Sequence, residues 1–318
     1  MILLYQFSIL LTIALLYYNF ALKYNILDLP NERSSHNETT VRGGGIIFPV
    51  AAILWIVFSG LHEHYYFIIG LLIISIVSLL DDFYNINQKW RFLIQLVSCI
   101  LLLQQFNLFF IPIIILLMTI ILMIGWINAY NFMDGINGMT ALYSMVFFIT
   151  LYCISTSKEF ININLFEVMI FSILIFSLFN VRKKALMFSG DVGSISLSYI
   201  ILFIFICFLE FDFNLNYILF FSIYGLDSSI TILERVMKKE NIFQSHRTHL
   251  YQYLANEKKW PHIFVSVLYA ILQLFVNILV IYLIIPNNGD LLLLASILIF
   301  LSIFYFIIKR AVVNSIIA

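Results

Sequence analysis

The sequence predicts an all-α integral membrane protein that crosses the bilayer about eleven times. Of its 318 residues, 63% are hydrophobic and only 11% are charged, a composition far from that of a water-soluble domain. The hydrophobic residues form runs of about 20 residues, which is the length of a transmembrane helix. Short polar loops separate these runs, so residues 1–318 are expected to form a single membrane-embedded domain.

The hydrophobic runs place the spans along almost the whole chain. The first run has no basic region before it and no small-residue cleavage site after it, which indicates a retained span and not a signal peptide. Only Gln104 to Asn107 separate the fourth and fifth runs, so one long re-entrant helix is an alternative there. The predicted spans are 2–22, 44–60, 65–80, 92–106, 108–127, 139–156, 165–180, 193–209, 216–234, 263–285 and 291–309.

The basic residues predict the orientation of the spans. With an odd number of spans the two termini lie on opposite sides, and the side richer in Lys and Arg faces the cytoplasm. An outside N-terminus puts nearly every Lys and Arg in or beside the cytoplasmic loops and leaves only Lys158 outside. The polar motifs described next then all lie on the cytoplasmic side, where they can meet soluble metabolites.

Two acidic motifs stand at the ends of apolar runs. Asp81 and Asp82 end the third span, where adjacent carboxylates repel each other unless a cation or a proton lies with them. Arg91 and Gln95 follow at helical spacing and can point back to the same surface. Asp191 lies in a Gly-Asp-Val-Gly-Ser sequence, whose glycines and following helix suit an anion and its cation. The alternatives are an ordinary span end and a helix N-cap.

A third motif carries amides at a spacing of three residues. It comprises Asn128, Asn131, Asp134 and Asn137. Gly135 and Gly138, which lie within and directly after this motif, permit backbone geometry that β-branched residues forbid. Amide groups and a carboxylate on one short segment suit a uracil, a ribose or a sugar, whereas a helix cap or a polar turn is the alternative.

A fourth motif lies in the longest polar loop. His246, His249 and Gln252 are three residues apart with Arg247 between them, so a helical turn would give one polar face with donors toward phosphate. Zinc is disfavoured because a third ligand is not evident nearby and the carboxylates elsewhere favour a hard ion. Upstream, Asp227 fits a functional face and a plain interfacial ion pair equally well.

Two classes of function are excluded or disfavoured. The formal net charge is zero and no basic patch with interleaved aromatic residues is present, so nucleic acid is not an expected partner. A transporter would hold its key polar groups near the middle of the bilayer and would have repeats between its halves. The sequence has neither signature.

In combination, these motifs resemble those of the polyprenyl-phosphate N-acetylhexosamine-1-phosphate transferases. This family of bacterial membrane enzymes includes the peptidoglycan translocase and the O-antigen initiating enzymes. The HRTHLYQ loop is more similar to that of the O-antigen and capsule initiating enzymes. Five segments match: DLPNERSSH with RGGG; DD at 81–82; NAYNFMDGINGMT; Asn180 ahead of FSGDVGS; and HRTHLYQ. The RGGG segment begins with Arg42.

The resemblance implies a reaction and a set of site residues. A UDP-N-acetylhexosamine would give its sugar 1-phosphate to polyprenyl (undecaprenyl) phosphate, releasing UMP and starting O-antigen or other cell-envelope polysaccharide synthesis. Mg²⁺, with Mn²⁺ as an alternative, would be held by Asp191 and Asp82 in the bacterial plasma membrane. Asp81, Asp82, Asp191 and His249 would be catalytic. The implied substrate-binding residues are Asn128, Asn131, Asp134, Asn137, Asn180, Arg42, Asp227, His246, Arg247 and Gln252.

The resemblance leaves several alternatives open. The chain could be a translocase for the peptidoglycan precursor, phospho-MurNAc-pentapeptide, or a membrane transporter or lipid flippase. A monomer and a homodimer are both compatible with the sequence. Two segments depart from the family pattern: Ser189 replaces a usual Met, and 181–185 replaces a Pro-Ala pair. Neither is expected to touch a ligand-binding group, so we expect them to affect packing and sugar preference and not the reaction.

Overall fold

The computed structural model describes residues 1–30, 35, 38–59, 62–156, 161–241, 246–286 and 291–317. Most of the predicted DLPNERSSH motif and the predicted outer residue Lys158 lie outside these residues.

Helices make up nearly all of the described chain. The first six are α1 (Ile2–Lys23), α2 (Ile47–Ser59), α3 (Tyr65–Tyr84), α4 (Gln88–Gln105), α5 (Ile113–Met133) and α6 (Met139–Ser155). The others are α7 (Asn164–Asn180), α8 (Gly190–Phe211), α9 (Ser222–Met237), the one-turn α10 (Leu250–Gln252), α11 (His262–Leu279) and α12 (Leu291–Ile317). Two-residue strands β1 (Leu27–Asp28) and β2 (Thr40–Val41) pair antiparallel.

The apolar composition of these helices makes the chain a multi-pass membrane protein. Seven helices in the described part are long and apolar enough to cross a membrane, and three shorter apolar helices accompany them. About 7–10 candidate spans are therefore present, and the all-α prediction is confirmed. The count of eleven is not confirmed. The fourth predicted span corresponds to α4, which carries Lys89, Arg91 and several glutamines and does not meet the same criteria.

The fifth span is shifted from its predicted place. The prediction was 108–127, whereas α5 begins at Ile113 after a separate 3₁₀ turn and ends at Met133. Pro112 precedes the first turn, where its missing N–H costs nothing. The fourth and fifth runs are therefore two helices and not one re-entrant helix, and Asn128 and Asn131 belong to the last turns of α5.

The ninth predicted span is interrupted. Leu215–Phe221 forms a 3₁₀ helix, and α9 starts only at Ser222. The buried Gln273 of α11 satisfies backbone groups at this break: its Nε2 donates to the Leu219 carbonyl at 2.9 Å, and its Oε1 accepts from the Ile223 amide at 3.1 Å. Such groups must be paired within a membrane. The break fixes where α9 begins and hence where Asp227 lies.

The site lies at one end of the helix bundle, where α3 and α5 end and α8 begins. The helix α8 is almost entirely buried and packs against α2, α3 and α5. Its first turn approaches the backbone before α2 so closely that a Cβ atom at Gly193 would lie 2.8 Å from the Cα of Gly45. The prediction that the acidic and amide motifs meet on one side of the membrane bundle is consistent with this arrangement.

Candidate active site

Three carboxylates and two guanidinium groups meet where α3, α4 and α8 converge. We call this group the acidic cluster; its members are Asp81, Asp82, Asp191, Arg42 and Arg91. Arg91 bridges two of the carboxylates, with Nη1 at 2.9 Å from Asp81 Oδ2 and Nη2 at 3.0 Å from Asp191 Oδ2. Arg42 places Nε at 2.7 Å from Asp82 Oδ1 and Nη2 at 3.8 Å from Asp191 Oδ1. The cluster therefore brings three carboxyl groups together with two guanidinium groups.

Arg42 is held in the cluster by its backbone. Its amide donates to the Ile26 carbonyl at 3.2 Å, and its carbonyl accepts from the Tyr17 hydroxyl at 2.8 Å. Burial alone would lower the pKa of Arg42, but the charges of Asp82 and Asp191 raise that pKa above its usual value. Arg42 is therefore a fixed positive charge.

The first turn of α8 does not bind an anion in the way that the sequence predicts. Asp82 Oδ1 accepts from the Asp191 amide at 2.8 Å, and Asp82 Oδ2 accepts from the Val192 amide at 3.0 Å. The carboxylate that fills this helix N-terminus therefore comes from α3 of the same chain. A substrate phosphate would have to displace Asp82 in order to use those two amides.

The three carboxylate side chains differ in their exposure to solvent. The side chain of Asp82 is 0% exposed, that of Asp81 is 5% exposed and that of Asp191 is 14% exposed. Asp81 Oδ1 also accepts from the Ile86 amide at 2.5 Å. Asp191 is therefore the carboxylate best placed to meet a ligand.

A cavity of about 300 Å³ opens beside Asp191, within the size range of small-molecule sites. It brings together residues from four of the five matching segments; only the segment with Asp81 and Asp82 contributes none. Its lining residues are Asp28, Ser35, Arg42, Asn131, Asp134, Gly135, Ile136, Asn137, Asn180, Phe188, Ser189, Gly190, Asp191, Gln252 and His262.

The end of α5 supplies one wall of this cavity. Asn131 Oδ1 accepts from the Ser194 hydroxyl at 2.5 Å, and Asp134 Oδ1 accepts from the Thr140 hydroxyl at 2.5 Å. Ser189 donates to the other oxygen of Asp134. Burial raises the pKa of Asp134 to about 7, while the hydrogen bonds from Ser189 and Thr140 act in the opposite direction.

The contact between Ser189 and Asp134 corrects one expectation from the sequence. Ser189 was expected to touch no ligand-binding group, yet its hydroxyl holds a predicted substrate-binding carboxyl at the cavity wall. The physical reason is that α8 starts directly against the end of α5, so the residue before Gly190 faces Asp134. Sequence separation hid this contact.

Two predicted substrate-binding amides hold the loops around the cavity. Asn180 Oδ1 accepts from the Gly138 amide at 2.7 Å, and Asn180 Nδ2 donates to the Met187 carbonyl at 2.9 Å. Asn137 Nδ2 donates to the Arg182 carbonyl at 2.9 Å. Both residues line the cavity, but these amide contacts also shape its walls. Their role as ligands stays a prediction.

Asn128 is separated from this group. Its Nδ2 donates to Gln95 Oε1 at 2.8 Å and to the Ile124 carbonyl at 2.8 Å, and it is not among the cavity residues. The spacing of three residues does not keep the amides on one face, because the helix ends at Met133 and the later residues form a turn. Asn128 joins α4 to α5 in this structure.

The histidine motif forms a second group, the histidine cluster, which comprises Asp227, Arg235, His246 and His249. His249 Nδ1 lies 2.9 Å from Asp227 Oδ1, and its Nε2 lies 3.1 Å from His246 Nε2. His246 Nδ1 lies 2.7 Å from Arg235 Nη1. The carboxylate of Asp227 is fully buried, and the hydroxyl of Tyr269 donates to its other oxygen at 2.5 Å.

The predicted helical face of this motif is wrong. His249 has an extended backbone with ψ of 149°, and the helical turn α10 starts only at Leu250. The backbone amide of His249 donates to Gln252 Oε1 at 3.2 Å. The two histidines meet because an extended segment turns into α10 against α9. Only Gln252 of this motif lines the cavity; His246, Arg247 and His249 are not among its lining residues.

Phe132 packs against the histidine cluster. Its ring centroid lies 5.8 Å from that of His246 and 6.5 Å from that of His249, while its neighbour Asn131 lines the cavity. Substrate contacts of His246, Arg247 and His249, and of the buried Asp227, therefore stay predictions.

The last helix completes the histidine cluster, which the sequence analysis missed. The hydroxyl of Tyr305 donates to Asp227 at 2.9 Å. One turn later, the buried Lys309 places Nζ at 2.8 Å from Glu234 Oε2 and at 2.8 Å from Thr231 Oγ1. A lysine inside an apolar run was the available signal, because such a charge needs a partner.

The donor chemistry of the acidic cluster suits a hard cation, although its geometry alone does not build a site. Among the residues that the structure describes, no group of three or more His, Cys, Asp or Glu side chains is arranged to hold a metal ion. Mg²⁺, however, commonly takes one or two carboxylates and completes its shell with water and substrate phosphates. The oxygens of Asp191 and Asp81 fit that mode, and Mg²⁺ stays a prediction.

Comparison with known proteins places the chain among sugar-phosphate transferases. Residues 64–209 match the family described as "Glycosyl transferase family 4". A Bacillus subtilis (strain 168) protein named "Probable undecaprenyl-phosphate N-acetylglucosaminyl 1-phosphate transferase" is 26% identical over 254 residues, covering 74% of this chain and 71% of that protein.

Two further relatives carry the name "Phospho-N-acetylmuramoyl-pentapeptide-transferase". The Streptococcus sanguinis (strain SK36) protein is 26% identical over 182 residues, covering 48% of this chain and 55% of that protein. The Latilactobacillus sakei subsp. sakei (strain 23K) protein is 39% identical over 82 residues, covering 26% of this chain and 25% of that protein. With its motifs, its helical membrane fold and these matches, the chain is similar to the proteins of glycosyl transferase family 4.

Proposed function

We propose that this protein transfers N-acetylglucosamine 1-phosphate from UDP-N-acetylglucosamine to undecaprenyl phosphate. The products are undecaprenyl-diphospho-N-acetylglucosamine and UMP, and the lipid product starts a cell-envelope polysaccharide such as O-antigen. One observation carries the proposal: Asp191, in an arginine-bound acidic cluster, faces a polar cavity at the end of a membrane helix bundle. The name of the Bacillus subtilis relative supports this choice of substrates.

The cavity is suited to the nucleotide sugar. Asn131, Asp134, Asn137 and Asn180 offer amide and carboxyl groups along its wall, and Arg42 offers a fixed positive charge beside Asp191. A neutral Asp134 can donate a hydrogen bond to a uracil or sugar oxygen, which an ionised carboxylate cannot do. We propose that the diphosphate lies toward Arg42 and the uridine toward the end of α5.

The acidic cluster is suited to the reacting phosphates. An oxygen of the lipid phosphate attacks the β-phosphorus of the UDP-sugar, and the bond from that phosphorus to the bridging oxygen breaks to release UMP. One phosphoanhydride replaces another, so catalysis rests on positioning and charge neutralisation. Arg91 and Arg42 can neutralise charge on the reacting phosphates, and Asp81 lies where it can contact the lipid phosphate or its counterion.

Asp191 and Asp81 would hold Mg²⁺, with Mn²⁺ as the alternative. When bound, such an ion supplies positive charge to the diphosphate oxygens. Arg91 contacts one oxygen of each of these carboxylates and would share Asp191 with the ion. EDTA should therefore abolish turnover, and added Mg²⁺ should restore it.

We propose that the site faces the cytoplasm of a bacterial cell, with the N-terminus outside. The distribution of Lys and Arg supports this orientation. Lys238 directly follows α9 at the end of the bundle that carries the site. Phe213, which is 79% exposed, precedes the 3₁₀ helix Leu215–Phe221 that leads into α9, and it therefore lies at the opposite end. In a cysteine-free background, Phe213→Cys should react with an impermeant thiol reagent added to intact cells, whereas Lys238→Cys should react only after lysis. The reverse pattern would refute the orientation.

The direct test of the function is an assay of the purified protein with undecaprenyl phosphate, Mg²⁺ and a panel of UDP-sugars. We expect UMP release and a lipid-linked product with a UDP-N-acetylhexosamine. Preference for UDP-MurNAc-pentapeptide would instead assign the translocase activity named for the two shorter-matching relatives. Movement of substrate across reconstituted vesicles without UMP release would indicate a transporter or flippase.

A further inference from the structure

We propose that Asp82 is a positioning residue, which fixes Asp191 by capping α8 and acts as neither the metal ligand nor the base. This inference rests on the proposed function and concerns how its reactive carboxylate is held. It separates the roles of two adjacent aspartates that the sequence presents as equivalent.

The contacts of Asp82 are those of a structural anion. Its Oδ1 accepts from the Asp191 amide at 2.8 Å and from Arg42 Nε at 2.7 Å, and its Oδ2 accepts from the Val192 amide at 3.0 Å. The side chain is fully enclosed. A cation could reach it only by breaking charge-assisted hydrogen bonds to the start of α8, and these are among the stronger bonds in proteins.

The position of Asp82 satisfies a general need of helices. The first amides of a helix have no partner within the helix, and a negative charge near them is favourable. Here the capping carboxylate comes from α3, so it joins the end of α3 to the start of α8. Asp191 is the first residue after Gly190 in α8 and is therefore oriented by the same contact.

The backbone conformation at Gly190 supports the capping role of Asp82. Gly190 has φ of +69°, and an added Cβ would collide with Asp82 Oδ2 and lie 2.8 Å from the Cα of Gly43. The glycine that the sequence suggests for close approach of a phosphate thus makes room for the carboxylate of Asp82. The anion beside this glycine-containing turn is therefore the Asp82 carboxylate of the same chain.

Asp81 provides a matched contrast. It lies one residue earlier in the same helix and is also bound by an arginine, yet it contacts Arg91 and the Ile86 amide and not the α8 amides. Asp81→Asn is therefore the control for any effect on the first turn of α8.

The first experiment is hydrogen–deuterium exchange of the purified full-length protein, which needs no turnover. In Asp82→Ala the amides of Asp191 and Val192 should exchange at least about tenfold faster than in the wild type, because a charged acceptor is lost. In Asp81→Asn they should exchange within about twofold of the wild-type rate. Unchanged exchange in Asp82→Ala would overturn the proposal. If that variant does not fold, Asp82→Asn is measured in its place.

The second experiment separates positioning from chemistry. Asp82→Asn keeps one acceptor oxygen for α8 but can neither carry charge to a metal nor take a proton. We expect kcat to decrease from the wild type to Asp82→Asn and again to Asp82→Ala. The kcat of Asp82→Ala should be at least about tenfold lower than that of Asp82→Asn. The Mg²⁺ concentration for half-maximal rate should rise in Asp82→Ala and be largely restored in Asp82→Asn. Equal loss in both variants would assign Asp82 to the metal or the proton and overturn the proposal.

The two experiments also distinguish this inference from the proposed function. If the wild type releases no UMP with any UDP-sugar, the proposed function falls, and the exchange rates still decide whether Asp82 caps α8. If the wild type is active and exchange is unchanged in Asp82→Ala, the positioning role alone falls.

Discussion

The acidic cluster and the histidine cluster combine similar side chains but differ in access and in charge balance. In the acidic cluster, Asp191 is partly exposed beside a cavity, and carboxylates outnumber the two arginines. In the histidine cluster, Asp227 is fully enclosed and is satisfied by His249, Tyr269 and Tyr305. The first group opens to a cavity that can admit a ligand, whereas Asp227 in the second group is enclosed and already paired within the chain.

The two clusters satisfy their buried polar groups in different ways. A buried polar group in an apolar bundle must be paired, and the partner is either another part of the chain or a ligand. The histidine cluster meets this requirement internally through α9, α11 and α12. The carboxylates of the acidic cluster are paired with arginines, but Asp191 also lines an open cavity, which makes this cluster the better candidate for the chemistry. The predictions below test this division.

The largest effect is expected for Asp191→Asn. Because Asp191 is the most exposed carboxylate of the acidic cluster and lines the cavity, we expect a fall in kcat of more than about 10³-fold. UMP release by protein purified in detergent is the measurement. Glu210→Gln, an exposed acid near the other end of α8, is the matched control and should keep kcat within about twofold. Substantial activity of Asp191→Asn at saturating Mg²⁺ would remove the cation role.

The next effect concerns the histidines. If His249 or His246 donates to charge that develops on the diphosphate, each Ala variant should lose about 10²–10³-fold in kcat. Tyr269→Phe removes a donor to Asp227 and leaves both imidazoles, so it should lose less than about tenfold. A lower melting temperature with unchanged kcat for His249→Ala would make the cluster purely structural and sharpen the contrast with the acidic cluster.

The third prediction uses the pH dependence of Asp134. Its pKa in the folded protein is about 7, raised by burial from an ordinary value of 3.8. Between about pH 4 and pH 7 the unfolded chain loses this proton before the folded protein does, so the free energy of unfolding falls as pH rises. The total change is at most about 4 kcal/mol, from 1.4 kcal/mol per pKa unit.

Asp134→Asn has no proton to lose, so its melting temperature relative to the wild type should rise across this pH window and then level off. Melting curves in metal-free detergent solution from pH 4 to pH 8 measure this difference. A difference that does not change with pH would show that Asp134 titrates normally and is not held neutral at the cavity wall.

The smallest effect is expected for Ser189→Ala. Loss of its hydrogen bond to Asp134 should raise KM for the UDP-sugar by about 3–10-fold and leave kcat nearly unchanged. Ser196→Ala is the matched control, since Ser196 bonds only to backbone carbonyls within α8. An effect on kcat larger than that on KM would place Ser189 near the reacting atoms and not at the nucleotide.

The sequence predicted the places of the helices because hydrophobic runs reflect contact with lipid and core. It failed where local structure depends on the partners. The early start predicted for α5 ignored the separate turn before Pro112, and the break before α9 is satisfied by Gln273 from a helix about 50 residues later. The helix α12 continues to Ile317, beyond the predicted end at residue 309, and Lys309 pairs there with Glu234 of α9.

The candidate site was predictable as a set of residues but not as a set of contacts. Carboxylates and amides at span ends carry an evident signal, because they are costly in an apolar chain. Which of the two neighbouring aspartates caps α8 depends on the rotation of α3 and on α8, which lies more than 100 residues later. The bond from Ser189 to Asp134 depends likewise on tertiary packing.

The central claim is transfer of a sugar 1-phosphate at the acidic cluster, and an isotope label tests it most directly. Purified protein is given undecaprenyl phosphate, Mg²⁺ and UDP-N-acetylglucosamine carrying ³²P in the β-phosphate and ³H in the sugar. We predict that both labels enter the lipid in equal amounts and that the released nucleotide is unlabelled UMP. Release of ³²P-labelled UDP with only ³H in the lipid would mean transfer of the sugar alone, and it would contradict the account.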